Sequence, residues 1–240
     1  MKANLGLVTK RLEPSTRRLF DMRDVIYDHD WLSKADNIEL YYIYRGLCLS
    51  RKDSLAMKEY GLRYDITIIP PCMLGREFVK TEGCYHSKVH GTNITYPEIY
   101  EVLSGEAHYL MQKSENSRII DVILVKAEQG DKVVIPPGYG HLTINTSNKV
   151  LKMANWVARD FEAIYEPIKE KGGGAYFFLK EGIVKNPHYG EVPEIRMLKP
   201  TSIKGLHKSK EIYGIVRDIK KLEFLIKPQE YGWLFEEMFV

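Results

Sequence analysis

The chain has 240 residues, 44% apolar and 28% charged, which excludes a disordered polypeptide and fits one large domain or one domain with appendages. Its 35 basic and 32 acidic residues leave a net charge of +3, so composition gives no footing for nucleic acid as a partner. Three cysteines without CxxC spacing exclude a secreted disulfide framework and point to a reducing cytoplasm, and no apolar run approaches the length of a membrane-spanning helix.

Residues 22–37 carry a broken helical period and run into Glu39–Tyr44, which reads as a strand. The centre is strand-like. Leu62–Ile69 is rich in β-branched residues and stops at Pro70-Pro71, and 77–81 is short and alternating. Residues 97–103 and 106–112 flank Ser104-Gly105, a two-residue hairpin signal. Further strands are expected at 119–126, Lys132–Ile135, 142–145 and 150–157. Short strands at this spacing argue for an antiparallel sandwich or barrel. Residues 161–171 read as a helix closed by Gly172–Gly174, followed by a hairpin around Glu181-Gly182. The prolines of 186–200 mark a boundary, and the amphipathic stretch 201–240 carries no recognisable chemistry. The expected division is an N-terminal extension (1–59), a barrel domain (60–194) and a C-terminal extension (195–240).

The chemistry is concentrated in residues 130–145, GDKVVIPPGYGHLTIN, which satisfy G-x5-P-x-G-x2-H-x3-N at every fixed position. Pro136 and Gly138 bend the chain so that His141 enters a strand pointing into the barrel, and Asn145 closes the next turn. Upstream, Glu98 and Gly105 stand in E-x6-G spacing. Together these resemble the two motifs of the cupin superfamily, double-stranded β-helix barrels that hold a metal on histidines and a glutamate. An all-β-dominated cupin barrel with helical or irregular extensions is therefore the expected fold. Where the family pattern has H-x-H, this chain has Cys84-Tyr85-His86. Residues two apart on a strand share a face, so positions 84 and 86 can reach one ion together.

The fuller stretches GREFVKTEGCYHSKVHG, YPEIYEVLSGEAHYLMQ, VVIPPGYGHLTIN and IYEPIKEKGGGAYFFLKEG resemble the cupin-type glucose-6-phosphate isomerases known from archaea. The resemblance implies a homodimeric aldose–ketose isomerase of glycolysis and gluconeogenesis with one divalent metal ion per subunit. Iron(II) leads, with zinc, manganese or nickel as alternatives. Carried over by position, it implies metal ligands Cys84, His86, Glu98 and His141, with Glu98 and Tyr100 at the reacting carbons. Thr67, Thr81, Gly83, Tyr100 and Tyr165 would contact sugar phosphate, with Tyr44 nearby.

Two residues depart from the family pattern: Cys84 replaces a histidine, and Ala163 stands where a relative carries one. Cys84 is either a thiolate ligand that favours soft metals or a small buried spectator beside His86, Glu98 and His141. His90 is a third option if the strand continues past Val89. Lys80, Lys88 and Arg159 are candidate phosphate cations, with solvated side chains as the plainer alternative. These departures leave a second reading, a non-catalytic sugar-phosphate-binding cupin. A third is another metal-dependent cupin enzyme, such as an oxygenase. Isomerisation itself would proceed through a metal-stabilised enediolate with Glu98 moving the proton, or through a hydride shift needing no base.

Overall fold

The computed structural model describes residues 13–200 and 210–236. The basic N-terminal residues 1–12, and 201–209 and 237–240 of the C-terminal stretch, lie outside the described residues. In chain order the strands are β1 (Ser15–Arg18), β2 (Glu39–Tyr44), β3 (Leu62–Ile69), β4 (Met73–Leu74), β5 (Glu77–Phe78), β6 (Tyr85–His86), β7 (Glu98–Ser104) and β8 (Glu106–Glu115). They continue as β9 (Arg118–Glu128), β10 (Lys132–Ile135), β11 (Tyr139–Ile144), β12 (Leu151–Ala158), β13 (Ala163–Ile164), β14 (Tyr176–Leu179), β15 (Gly182–Lys185) and β16 (Arg196–Leu198). The α-helices are short: α1 (His29–Leu32), α2 (Arg51–Glu59), α3 (Glu166–Lys169) and α4 (Gly232–Glu236). A longer 3-10 segment, Ile212–Leu225, is broken at Asp218.

Two sheets form the barrel of the expected fold. One has the order β1-β2-β3-β12-β7-β10 and the other β11-β8-β9-β16, all pairs antiparallel except β16 with β9. The second sheet is extended beside β11 by bridges Lys80–Ile144 and Cys84–His141. Both sheets receive strands of period 2, and each face has its own partner. In β3, β7 and β12 the inward set includes Thr67, Glu98, Tyr100, Met153 and Asn155, which line a cleft. The outward set, Tyr64, Ile66, Ile99, Ala154 and Trp156, packs against Tyr213, Val216, Ile219 and Leu222 of the 3-10 segment. On the second sheet Tyr109 and Met111 face the interior, whereas Leu110 and Leu124 meet Tyr176 and Phe178 of β14. The barrel is thus covered on both outer faces.

A turn forms at Ser104-Gly105, but the expected hairpin does not: β7 pairs with β12 and β10, and β8 with β11 and β9, so the turn carries the chain from one sheet to the other. Gly105 has φ +84°, and a Cβ there would lie 2.8 Å from the Val150 carbonyl oxygen, which leaves no room for a side chain at this corner. β2 joins the sheet of β3, so residues before 60 supply two strands of the first sheet. Helix α2 starts at Ser50, whose hydroxyl accepts the Asp53 N–H at 3.1 Å.

The expected helix over 161–171 is corrected. Ala163 and Ile164 form β13 and pair with His86 and Tyr85, leaving only α3 helical. Ser87 decides the competition: its N–H donates to the Glu162 carbonyl and its hydroxyl accepts the Glu162 N–H. This ties the segment to the wall of the cleft before a helical turn can close.

Candidate active site

The cleft occupies about 510 Å³ between the two sheets. Its lining includes Thr67, Thr81, Gly83, Cys84, His86, Glu98, Tyr100, His141 and Tyr165, so the site residues carried over by position border one cavity, Tyr44 excepted. β11 and the segment beside it set the centre. The Cys84 N–H donates to the His141 carbonyl and the His141 N–H to that of Cys84, making the two residues direct cross-strand neighbours. The Cys84 sulfur and one nitrogen each from His86 and His141 lie within 4.8 Å of one another. Glu98 Oε2 sits 3.4 Å from His86 Nε2 and 3.5 Å from His141 Nε2.

The His86 Nδ1–H donates to the Tyr96 carbonyl at 2.8 Å, which fixes the ring and turns Nε2 toward Glu98. His141 Nδ1 is buried without a hydrogen-bond partner among the described residues. A thiol, two imidazoles and a carboxylate, one imidazole held from behind by a carbonyl, are a donor set suited to a divalent metal. The residues present therefore fit the metal that the motif pattern implies.

Burial pulls the His86 pKa down, but hydrogen bonds to the Cys84 sulfur and Glu98 carboxylate, and the charges of both, carry it to about 10. Burial raises the Glu98 carboxyl, and the hydrogen bond and charge of His86, with the His141 charge, reverse that and hold it below its ordinary value. For His141, burial and the His86 charge outweigh Glu98 and push the pKa down to about 4. Glu98 thus faces a charged and a neutral imidazole. Burial and the Glu98 charge raise the Tyr100 phenol, keeping it protonated 3.2 Å from His141 Nε2.

These shifts fix the sign of an acid effect in metal-free protein. The His141 contribution is complete above its ordinary 6.5 and is withdrawn as pH falls through about 4, because the folded ring resists protonation. The His86 contribution is complete below 6.5 and is lost only as pH rises through about 10. EDTA-treated protein is expected to melt progressively lower between pH 6.5 and 4. His141→Gln should flatten that slope in thermal unfolding; an unchanged slope would assign the acid loss to other groups.

The wall of the cleft next to Cys84 is built differently. Gly83 has φ +81°, and a Cβ there would sit 3.1 Å from Ile168 Cδ1 and 3.3 Å from Leu142 Cβ, so the backbone itself forms the wall. The Thr81 hydroxyl accepts the Thr143 N–H at 2.9 Å and keeps its own hydrogen to donate. Next to Gly83, the Glu82 carboxylate is buried between Arg17 Nη2 at 3.1 Å and Lys169 Nζ at 2.9 Å. Among the described residues neither of its oxygens has a hydrogen-bond partner, so those contacts are ionic. The Arg17 and Lys169 cations also lie against the Tyr165 ring, at 5.5 and 5.6 Å from its centre.

Several sequence expectations change here. His90 is exposed in the turn after Val89 and does not line the cleft, whereas Cys84 does. Tyr44 packs with the outer apolar cluster, and Tyr41 takes the inward place, its hydroxyl accepting the Glu82 N–H at 3.3 Å. None of the three candidate phosphate cations borders the cleft. Lys80 is buried against Glu77, Lys88 donates to Asn93, and Arg159 donates to the Leu62 carbonyl. Arg45 and Arg63 line it instead. Arg63 is held by Asp65 at 2.9 Å, while Arg45 has no acidic partner among the described residues. Sequence reasoning also missed Asn155 and Phe161. The Phe161 ring lies 4.6 Å from that of His86, with the Arg63 guanidinium on it at 5.3 Å.

Comparisons with known proteins place the chain in a family. Residues 16–194 match the family model described as glucose-6-phosphate isomerase. The glucose-6-phosphate isomerase of Thermococcus litoralis is 28% identical over 165 residues, 69% of this chain and 80% of that protein. That of Pyrococcus abyssi is 29% identical over 176 residues, 72% of this chain and 86% of the relative. Among solved structures, vicilin from Corylus avellana aligns at 15% identity with a TM-score of 0.38, over 54% of this chain and 33% of its own. The family match starts at residue 16, within β1, and runs through the cleft to residue 194, so strands and site lie inside it together. The chain belongs to the glucose-6-phosphate isomerase family.

Proposed function

We propose that the chain interconverts glucose 6-phosphate and fructose 6-phosphate in the barrel cleft with a divalent metal. The observation that carries this reading is that one cavity is lined by a sulfur, two imidazoles and a carboxylate together with the Thr81 donor and the Gly83 backbone. Cys84, His86, Glu98 and His141 would hold the metal, which supplies Lewis-acid polarisation of the sugar C1 and C2 oxygens when bound. Glu98 is the group for moving a proton between C1 and C2, a role typically worth about 10²–10⁴-fold. The Tyr100 phenol, kept protonated, donates toward a developing oxyanion. Thr67, Thr81, the Gly83 amide and Tyr165 bind the phosphate, and Phe161 shields the His86 ring from water. Binding energy at the phosphate end orients the reacting end. The reading carries a homodimer with it, which sedimentation of the purified chain would test.

The test is conversion of fructose 6-phosphate by purified protein, before and after EDTA, with iron(II), manganese, nickel or zinc restored. Turnover that vanishes with EDTA and returns with metal is the expected result. No turnover with any metal would move the assignment to a sugar-phosphate-binding protein.

Cys84→His tests the sulfur separately. Thiolate favours soft and borderline metals such as zinc, and imidazole narrows that preference. The ratio of zinc to manganese affinity, measured by competition with a chromophoric chelator, is expected to fall in the variant. An unchanged ratio would mean that the sulfur does not touch the ion.

A further inference from the structure

We propose that Asn155 is a positioning residue that aims the Glu98 carboxylate at the histidine pair; this rests on the metal-dependent isomerase reading of the same cleft. Positions of one parity on β12 are Leu151, Met153, Asn155 and Val157, so Asn155 is the polar exception on an apolar face. It is 5% exposed, and an amide buried at a strand centre is costly unless bonded. Its Nδ2–H donates to Glu98 Oε1 at 2.6 Å. The other carboxylate oxygen, Oε2, is the one between His86 and His141.

Each Glu98 oxygen thus has one task, and the Asn155 contact removes the carboxylate's freedom to rotate about its last bond. An amide suits this role because it is neutral. A lysine or arginine in its place would orient the carboxylate but cancel the negative charge that a metal cation needs. The strand register supports the same conclusion: Asn155 lies across from Tyr100 on one side and Asp65 on the other, in the middle of the sheet where β12 is least free to shift.

The experiment is a cobalt(II) titration of metal-free wild type, Asn155→Leu and Asn155→Ala, followed by the visible absorption bands, alongside fructose 6-phosphate kinetics. Leucine keeps the branching of asparagine at Cγ and removes the donor. Cobalt affinity is expected to fall about 10–100-fold in Asn155→Leu, the usual effect of losing a partner behind a metal ligand. The kcat should fall with it while KM for fructose 6-phosphate stays within about twofold, since the phosphate end is untouched. A merely structural defect would instead lower the metal-free melting temperature and the fraction of sites that bind. Should the leucine variant not fold, the alanine variant carries the same comparison without added bulk. Affinity and kcat within about twofold of wild type in the folded variants would overturn the positioning role and leave the isomerase reading standing. Weakened cobalt binding with no sugar-phosphate turnover even in wild type would do the reverse, and a wild-type protein that binds no cobalt would overturn both.

Discussion

Glu98→Gln is expected to yield a folded protein whose fructose 6-phosphate turnover is lower by about 10²–10⁴-fold or more. Glutamine keeps the shape, so Asn155 can still donate to the side-chain oxygen that replaces Oε1. What it removes is a negative charge 3.4 and 3.5 Å from two imidazole nitrogens. The His86 pKa then falls, because the Glu98 hydrogen bond and charge are among the causes that raise it. The ring can adopt its neutral form with Nδ1–H still bonded to Tyr96, so no stranded buried charge is left to unfold the barrel. On the proposed reading the loss therefore falls on chemistry: the group that would carry the proton is gone, and the donor set loses its carboxylate charge. The measurement is kcat and KM with metal in excess, together with the melting temperature. A fall in kcat at nearly constant KM is the signature of an interaction made only in the transition state. Turnover near that of wild type would remove Glu98 from the mechanism.

The legible part of this protein is the part written in local spacing. Gly138, His141 and Asn145 mark a bend, a strand entry and a turn within one short stretch, and Glu98 stands a fixed distance before the corner glycine Gly105, so the barrel's two motif strands could be read directly, although the hairpin expected at Gly105 is instead a crossing between the two sheets. What spacing does not contain is register between distant strands. Asn155 reaches Glu98 across 57 positions, and Arg45 and Arg63 enter the cleft from the end of β2 and from β3. Tyr41 and Tyr44 are both tyrosines of one strand, and only the pairing of β2 with β3 decides which faces inward. The helix expected over 161–171 failed for a related reason. Phe161, Ile164, Tyr165 and Ile168 have helical spacing, but the Ser87 side chain and backbone capture Glu162 and draw the next two residues into β13. Lys80 misled because a sequence does not reveal that Glu77 is buried beside it.

A chain ending at Pro200 is expected to aggregate or to melt well below the full-length protein, although the family match already ends at residue 194. The 3-10 segment Ile212–Leu225 buries Ile212, Tyr213, Val216, Ile219, Leu222, Phe224 and Leu225 over the outward face of the first sheet. Without it Tyr64, Ile66, Ile99 and Trp156 would form a contiguous apolar patch facing water. The cover is also held by polar contacts that fix its position. The Trp156 indole N–H donates to the Ile212 carbonyl at 2.9 Å, and the Ile212 N–H donates to Glu101 Oε2 at 2.7 Å. The Tyr213 hydroxyl accepts the Leu49 N–H at 2.6 Å and donates to Asp53 Oδ2 at 2.8 Å. Leu222→Ala probes the same cover gently: the side chain is fully buried, and truncation there should cost about 2–5 kcal/mol in denaturant unfolding. The consequence reaches the cleft through β12, where the outward Trp156 follows the inward Asn155 directly. If the cover steadies that strand, dye binding to exposed apolar surface should rise in the truncated chain as turnover falls. A truncated chain that stays monomeric, melts within a few degrees of full length and keeps its turnover would show that the sheet carries its outer face alone.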